Sequence, residues 1–270
     1  MKKNLLITLG CSMTEGVGCY DYSINPKREL YYNLPSDAQY LTRERFHKNG
    51  WPNRVGKALG FNKVLNLGLG GSSNSGQLKV FVDTVLPEIE QLKKIYDIYV
   101  IWMMTDPNRF SFYTEKMVRN FHPVQSTPLS SLEKSYVTTF NDFLIGPARE
   151  QAHIIKLSEY VFNSNKIKVL YTSWSDTFEY VYRMYSSSNY ISPYPDDQIY
   201  NFTELEMCDL DGHPNEQGYR VIASNLINLI DKYRPEFRVS PYPNAKLDWE
   251  YRGDPFYEYT QYAVKKNPDK

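Results

Sequence analysis

A chain of 270 residues, 41% hydrophobic and 23% charged, can bury a real core, and its composition excludes a disordered or collagenous protein. Its 31 Lys and Arg balance 31 Asp and Glu, so no general binder of nucleic acid or of an anionic membrane is expected, and no stretch is long and apolar enough for a membrane span. Cys11, Cys19 and Cys208 form no CxxC pair and no Cys/His cluster of zinc spacing, so they read as free thiols in a reducing setting, and no metal ligand set is predicted.

Met1-Lys2-Lys3 before an apolar run has the look of a secretion signal, but the run is too short and leads straight into a turn. We read Leu5 to Leu9 as the first strand, and no signal peptide is visible. Synthesis in the cytoplasm is expected, with the final compartment open. The turn Gly10-Cys11-Ser12-Met13-Thr14-Glu15-Gly16 places Ser12 at the strand's carboxyl end, where open parallel sheets bind ligands. A serine there has its hydroxyl and nearby backbone N–H groups exposed, as a nucleophile requires once a base arrives. Taken alone, the heptapeptide favours a tight turn with a solvent serine, or an anion-binding nest, over a nucleophile.

Residues 17–50 show no clean period and read as a surface excursion. Trp51 to Gly60 predicts a short helix, with Pro52 in its first turn and Gly60 ending it. Lys63 to Gly68 is a second strand, and the small residues from Leu69 to Gly76 let the backbone approach a ligand closely. Leu78, Phe81, Val82, Val85 and Ile89 give residues 77–94 a helical face, which Pro87 bends or interrupts. Ile98 to Met104 is a continuous apolar strand, typical of a sheet covered on both sides. It ends in the polar turn Thr105-Asp106-Pro107-Asn108-Arg109, where Asp106 caps the turn or pairs with Arg109.

About 110–140 read as an insertion, 141–163 as a helix and Ile167 to Trp174 as the fourth strand. The aromatic segment at about 178–205 fits a substrate-contacting cover and a packed irregular segment evenly. Asp209 to Asn215 leads into a helix over about 215–232, with Pro214 in its first turn. Residues 234–270, rich in Pro and aromatics, are expected to lie extended along the domain or against a partner. This alternation of strands and helices predicts an α/β fold with a mostly parallel sheet, in one domain over 1–233 followed by the tail.

In such a sheet Ser12, the 68–75 loop, Thr105–Arg109 and Asp209–His213 share one edge. Together they point to acyl transfer. Ser12 attacks an ester carbonyl, His213 carries the proton, and a neighbouring carboxylate holds the imidazole. The N–H groups of Ser12 and Gly71 and the Thr105 hydroxyl hold the oxyanion. Each part has a bland alternative: a surface histidine, a tight glycine turn, a capping aspartate.

These residues resemble the SGNH (GDSL-type) hydrolases over roughly residues 4–232. The heptapeptide is similar to the family's first block, Gly-Asp-Ser-x-x-x-Gly; Asn66-Leu67-Gly68-Leu69-Gly70-Gly71-Ser72 to the second; and Asp211-Gly212-His213-Pro214-Asn215 to the last. The resemblance implies a three-layer α/β/α sandwich of flavodoxin-like kind. It also implies a Ser12–His213–Asp211 triad, with Asp209 in reserve, and a serine esterase with no metal or cofactor, acting on O-acetyl groups of carbohydrate or another small ester. Three positions depart from the pattern. Cys11 replaces the Asp beside the nucleophile. Met103-Met104-Thr105-Asp106 stands for Gly-x-Asn-Asp, which predicts a weaker oxyanion hole or one served by Asn108. Leu210 stands where the family's Asp falls, so a one-residue shift makes Asp211 the match. Rival readings are a glycan-binding or structural module, as in a phage or surface assembly, and an acyltransferase using the same triad. The tail leaves a homo-oligomer or larger assembly open.

Overall fold

The computed structural model describes residues 2–107, 109–114, 117–121, 145–174, 187–192 and 205–251. In chain order the elements are β1 (Lys3–Gly10), α1 (Ser12–Glu15), α2 (Ser36–Asn49), α3 (Trp51–Ala58), β2 (Lys63–Asn66), α4 (Asn74–Thr84) and α5 (Ile89–Ile95). They continue with β3 (Tyr96–Met104), β4 (Phe110–Thr114), β5 (Met117–Phe121), α6 (Ile145–Ser164), β6 (Lys168–Ser173), α7 (Glu216–Tyr233) and β7 (Asp248–Tyr251).

Five strands form one parallel sheet in the order β6-β3-β1-β2-β7, and β4 and β5 form a separate antiparallel pair. Side chains alternate faces along each strand, so a strand covered on both sides must be apolar throughout. Leu5, Ile7 and Leu9 of β1, with Val100, Trp102 and Met104 of β3, pack against Phe81 of α4 and Ile155 and Phe162 of α6. Leu6, Ile101, Met103 and Leu170 face the other way, onto Trp51 and Val55 of α3 and Ile222 and Leu226 of α7. The result is the three-layer α/β/α sandwich predicted from the sequence. Each fully buried leucine-sized side chain contributes about 1.5–3 kcal/mol, so the two layers hold the sheet edge firmly.

Pro87 interrupts the long helix as expected: α4 and α5 are separated by a 3₁₀ turn at Leu86–Glu88. The expectation for residues 17–50 needs correcting. They contain α2, whose buried residues are Thr42, Arg43, Phe46 and His47, so no apolar stripe announces it. The tail also supplies a strand. β7 pairs with β2, Lys63 reaches Asp248 and Glu250, and Phe237 is buried in the α7 layer. The remainder of the 110–140 insertion, most of 178–205 and the tail after 251 lie outside the described residues. Among the described residues no helix is long and apolar enough to cross a membrane.

The chain leaves β1 for β2 on one side, then crosses to β3 on the other. The loops after β1 and β3 therefore diverge from adjacent strands and open a crevice at the carboxyl edge, the topological switch point of an open α/β sheet. Ser12 follows β1, and Thr105–Arg109 follow β3.

Candidate active site

Ser12 opens α1 just after β1, with Cys11 in extended conformation as the preceding cap. The Thr14 and Glu15 N–H groups both donate to the Cys11 carbonyl at 2.9 Å, so among the described residues it is the Ser12 and Met13 N–H groups that are left for a ligand. Gly16 ends the turn at φ 93°, donating its N–H to the Ser12 carbonyl, and a Cβ there would strike the Phe46 carbonyl. Ser12 is buried, 8% exposed.

The loop before α7 brings His213 to this serine. Cys208 N–H donates to the His213 carbonyl at 2.7 Å, and Asn215 N–H to the Glu206 carbonyl at 2.9 Å. Asn215 caps α7 by accepting from Gln217 and Gly218. From α7 the buried Tyr219 hydroxyl donates to the Val17 carbonyl at 2.8 Å, tying the helix to the serine turn. His213 Nε2 then lies 2.8 Å from Ser12 Oγ. For the hydroxyl to donate, Nε2 must be the bare nitrogen, which puts the ring proton on Nδ1.

Nδ1 faces Asp211 Oδ1 at 3.3 Å, and that same oxygen accepts the His213 backbone N–H at 3.0 Å. The ring contact is an ion-pair approach without hydrogen-bond alignment, and among the described residues neither Nδ1 nor Asp211 Oδ2 has a hydrogen-bond partner. Catalytic hydrogen bonds often align fully only once substrate is bound. Burial pushes the Asp211 carboxyl up, but the His213 side chain and N–H and the Tyr20 hydroxyl outweigh it and hold the group below the usual carboxylate range. It is therefore ionised at neutral pH. Asp209, the reserve, turns outward to Arg28 at 3.2 Å and the Tyr22 hydroxyl at 3.1 Å. It is not brought to His213.

The second small-residue loop is tied down nearly atom by atom. The N–H groups of Leu67, Gly68, Leu69 and Ser72 donate to Thr8 O, Asn66 Oδ1, Gly10 O and Leu69 O, and Gly70 N–H donates to Glu15 Oε2 at 2.6 Å. Among the described residues the Gly71 N–H has no such acceptor, and Gly71 takes φ 74°. Gly70 runs beside the nucleophile: a Cβ on it would stand 3.9 Å from Ser12 Cβ. Glu15 is itself held by Arg43 of α2 at 2.8 Å, both side chains buried. Sequence reading missed this pair because its second member lies in the helix that has no apolar stripe.

Thr105 is buried behind Trp174, its hydroxyl accepting the indole N–H at 3.2 Å, while Asn74 accepts its backbone N–H at 2.9 Å. Neither Thr105 nor Gly71 is among the residues lining the cavity at Ser12. Asn108 lies outside the described residues. That cavity, about 300 Å³, is lined by Cys11, Ser12, Met13, Arg109, Trp174, Met207, Gly212, His213 and Pro214. Trp174 and Met207 were not singled out from the sequence, since a strand-end Trp and a lone Met carry no site signal. Arg109 does not pair with Asp106 through its side chain; only its backbone N–H reaches the Asp106 carbonyl. All three cysteines are free and buried, and burial pushes the Cys19 thiol up to about 12, so it is no rival nucleophile. Among the described residues no group of three or more His, Cys, Asp and Glu is placed to hold a metal ion.

No family model and no curated protein matches the chain. Solved structures do. A carbohydrate esterase, described as having an active site with divergent catalytic and non-catalytic binding functions, is 12% identical with a TM-score of 0.50, over 88% of this chain and 71% of its own. An acetyl xylan esterase is 14% identical with a TM-score of 0.42, over 84% of this chain and 99% of its own. A GDSL-like lipase from Bacteroides thetaiotaomicron is 13% identical with a TM-score of 0.38, over 85% of this chain and 88% of its own. The parallel sheet with helices on both faces, and its likeness to the first of these structures, give the chain the α/β/α fold of that carbohydrate esterase.

Proposed function

We propose that this protein is a serine esterase that hydrolyses carboxylic esters, with O-acetyl groups on carbohydrate as the favoured substrate class. The observation that carries the reading is Ser12 Oγ at 2.8 Å from His213 Nε2, with an ionised Asp211 on the far side of the ring. Ser12 Oγ bonds to the acyl carbon as its proton passes to His213. The alkoxide leaves with that proton, and the acyl-serine remains. Water then attacks, His213 takes its proton and returns it to Ser12, and the carboxylic acid departs. Asp211 stabilises the imidazolium in both halves. The Ser12 N–H, and the Gly71 N–H that has no acceptor among the described residues, are the candidate oxyanion donors; the Thr105 hydroxyl accepts the Trp174 indole N–H and does not line the cavity. One such donor is worth about 3–4 kcal/mol of transition-state stabilisation. The acetyl class rests on the resemblance and on a cavity whose volume suits a small acyl group.

The test is acetate release from an acetylated oligosaccharide, run with and without a free sugar acceptor. Steady acetate release with no transferred product is expected. Acetyl transfer to the acceptor would make the protein an acyltransferase. No release by correctly folded protein would overturn the esterase reading and leave a binding module.

A further inference from the structure

The Ser12 cavity contains a charge that the triad does not use. Arg109 lines it, and its Nε and Nη1 are buried with no hydrogen-bond partner among the described residues. Its guanidinium carbon stands 6.0 Å from the centre of the Trp174 ring, near enough for the ring to orient the cation but not to satisfy its N–H donors. Elsewhere in the fold guanidinium groups are spent on carboxylates: Arg43 on Glu15, Arg54 on Glu216, Arg238 on Asp231. On this half-buried arginine, the two buried N–H-bearing atoms with unmet donors are costly to fold around, and an anion arriving with its own acceptors removes that cost. The other lining residues outside the triad, Cys11, Met13, Trp174, Met207, Gly212 and Pro214, carry no charge to meet an anion.

We infer that Arg109 is a specificity residue that binds a carboxylate on the substrate, so that the preferred ester carries a negative charge close to the bond that is cleaved. This rests on the esterase reading for its substrate, but the anion site itself does not require turnover. The planar fork of Nε and an Nη accepts a carboxylate through two parallel hydrogen bonds, which a lysine cannot reproduce. The carboxylate has two possible locations, the alcohol part of the ester, as in an acetylated uronic acid, or the acyl part, as in a half-ester of a dicarboxylic acid.

Two matched substrate pairs separate these sources. The first is an O-acetylated methyl glucuronoside against the corresponding methyl glucoside. The second is monoethyl succinate against ethyl valerate. Wild type is expected to favour the anionic member of one pair by about 10- to 100-fold in kcat/KM, the range of a hydrogen-bonded charge pair. The first pair responding places the carboxylate on the alcohol, and the second on the acyl group. Arg109→Gln should abolish the preference and Arg109→Lys restore only part of it. An active enzyme with no preference in either pair overturns the proposal and leaves the esterase reading intact. So does a preference that survives Arg109→Gln, or an equal loss on charged and neutral esters, which would put Arg109 on the oxyanion. If wild type turns over no ester, the esterase reading fails by itself. Calorimetric binding of the same four compounds then decides: anion binding lost in Arg109→Gln supports the site, and equal binding by both proteins overturns it.

Discussion

Ser12→Ala and His213→Ala are each expected to lower kcat on a short-chain ester by at least about 10³-fold, and the double variant is expected to be no worse than either. Ser12 supplies the oxygen that bonds to the acyl carbon, so no other group in the cavity can take its place. The nearest rival, Cys11 Sγ, lies 3.9 Å from Ser12 Oγ and is buried. His213 Nε2 is the base in contact with that oxygen, at 2.8 Å. Without the base the hydroxyl keeps its proton, and without the hydroxyl the base has nothing to activate. The two losses therefore describe one unit and do not multiply. Purified variants with wild-type circular dichroism provide the comparison. A variant retaining wild-type kcat contradicts the triad.

Arg43→Met is expected to cost about 3–5 kcal/mol of stability, the scale for leaving a buried ion without its partner. Glu15 is fully buried, and its carboxylate bridges Arg43 Nε on one oxygen and Gly70 N–H on the other. Removing the guanidinium strands that charge between the nucleophile turn and the glycine loop. His47 cannot replace it, because burial pushes the imidazole down to about 4 and keeps it neutral at pH 7. For a chain of this size the loss lowers Tm by roughly 10 °C, measurable by thermal melting. Glu15→Gln combined with Arg43→Met should lose less than Arg43→Met alone, since no charge is then buried unpaired. A double variant less stable than Arg43→Met would contradict this account of the pair.

How much of this was legible in the sequence depended on what each segment buries. β1 over Leu5–Leu9, save Thr8, and β3 over Ile98–Met104 are apolar because helices cover both faces, and such runs stand out in any reading. α2 hides because it turns an arginine and a histidine inward, and the arginine's partner is a glutamate in another block. β7 is four residues of alternating acid and aromatic at a sheet edge, too short and too polar to register before its pairing with β2 is seen. The serine and histidine blocks were readable from their motifs, but the choice between Asp209 and Asp211 was geometric. Asp211 lies two residues before His213, the spacing at which an aspartate accepts a backbone N–H in its own turn, and this fixes its carboxylate under the imidazole. Asp209 has no such anchor and is drawn out to Arg28. Arg109 reads as a turn residue because nothing in the sequence sets it apart, and its place on the Ser12 cavity emerges only from the fold.

The central claim is that Ser12 is activated by His213. Its most direct test is labelling with a fluorophosphonate probe, read by intact mass on wild type, Ser12→Ala and His213→Ala. The predicted result is one adduct on wild type and none on either variant. A folded wild-type protein that takes no adduct, or a Ser12→Ala variant that takes one, would contradict it.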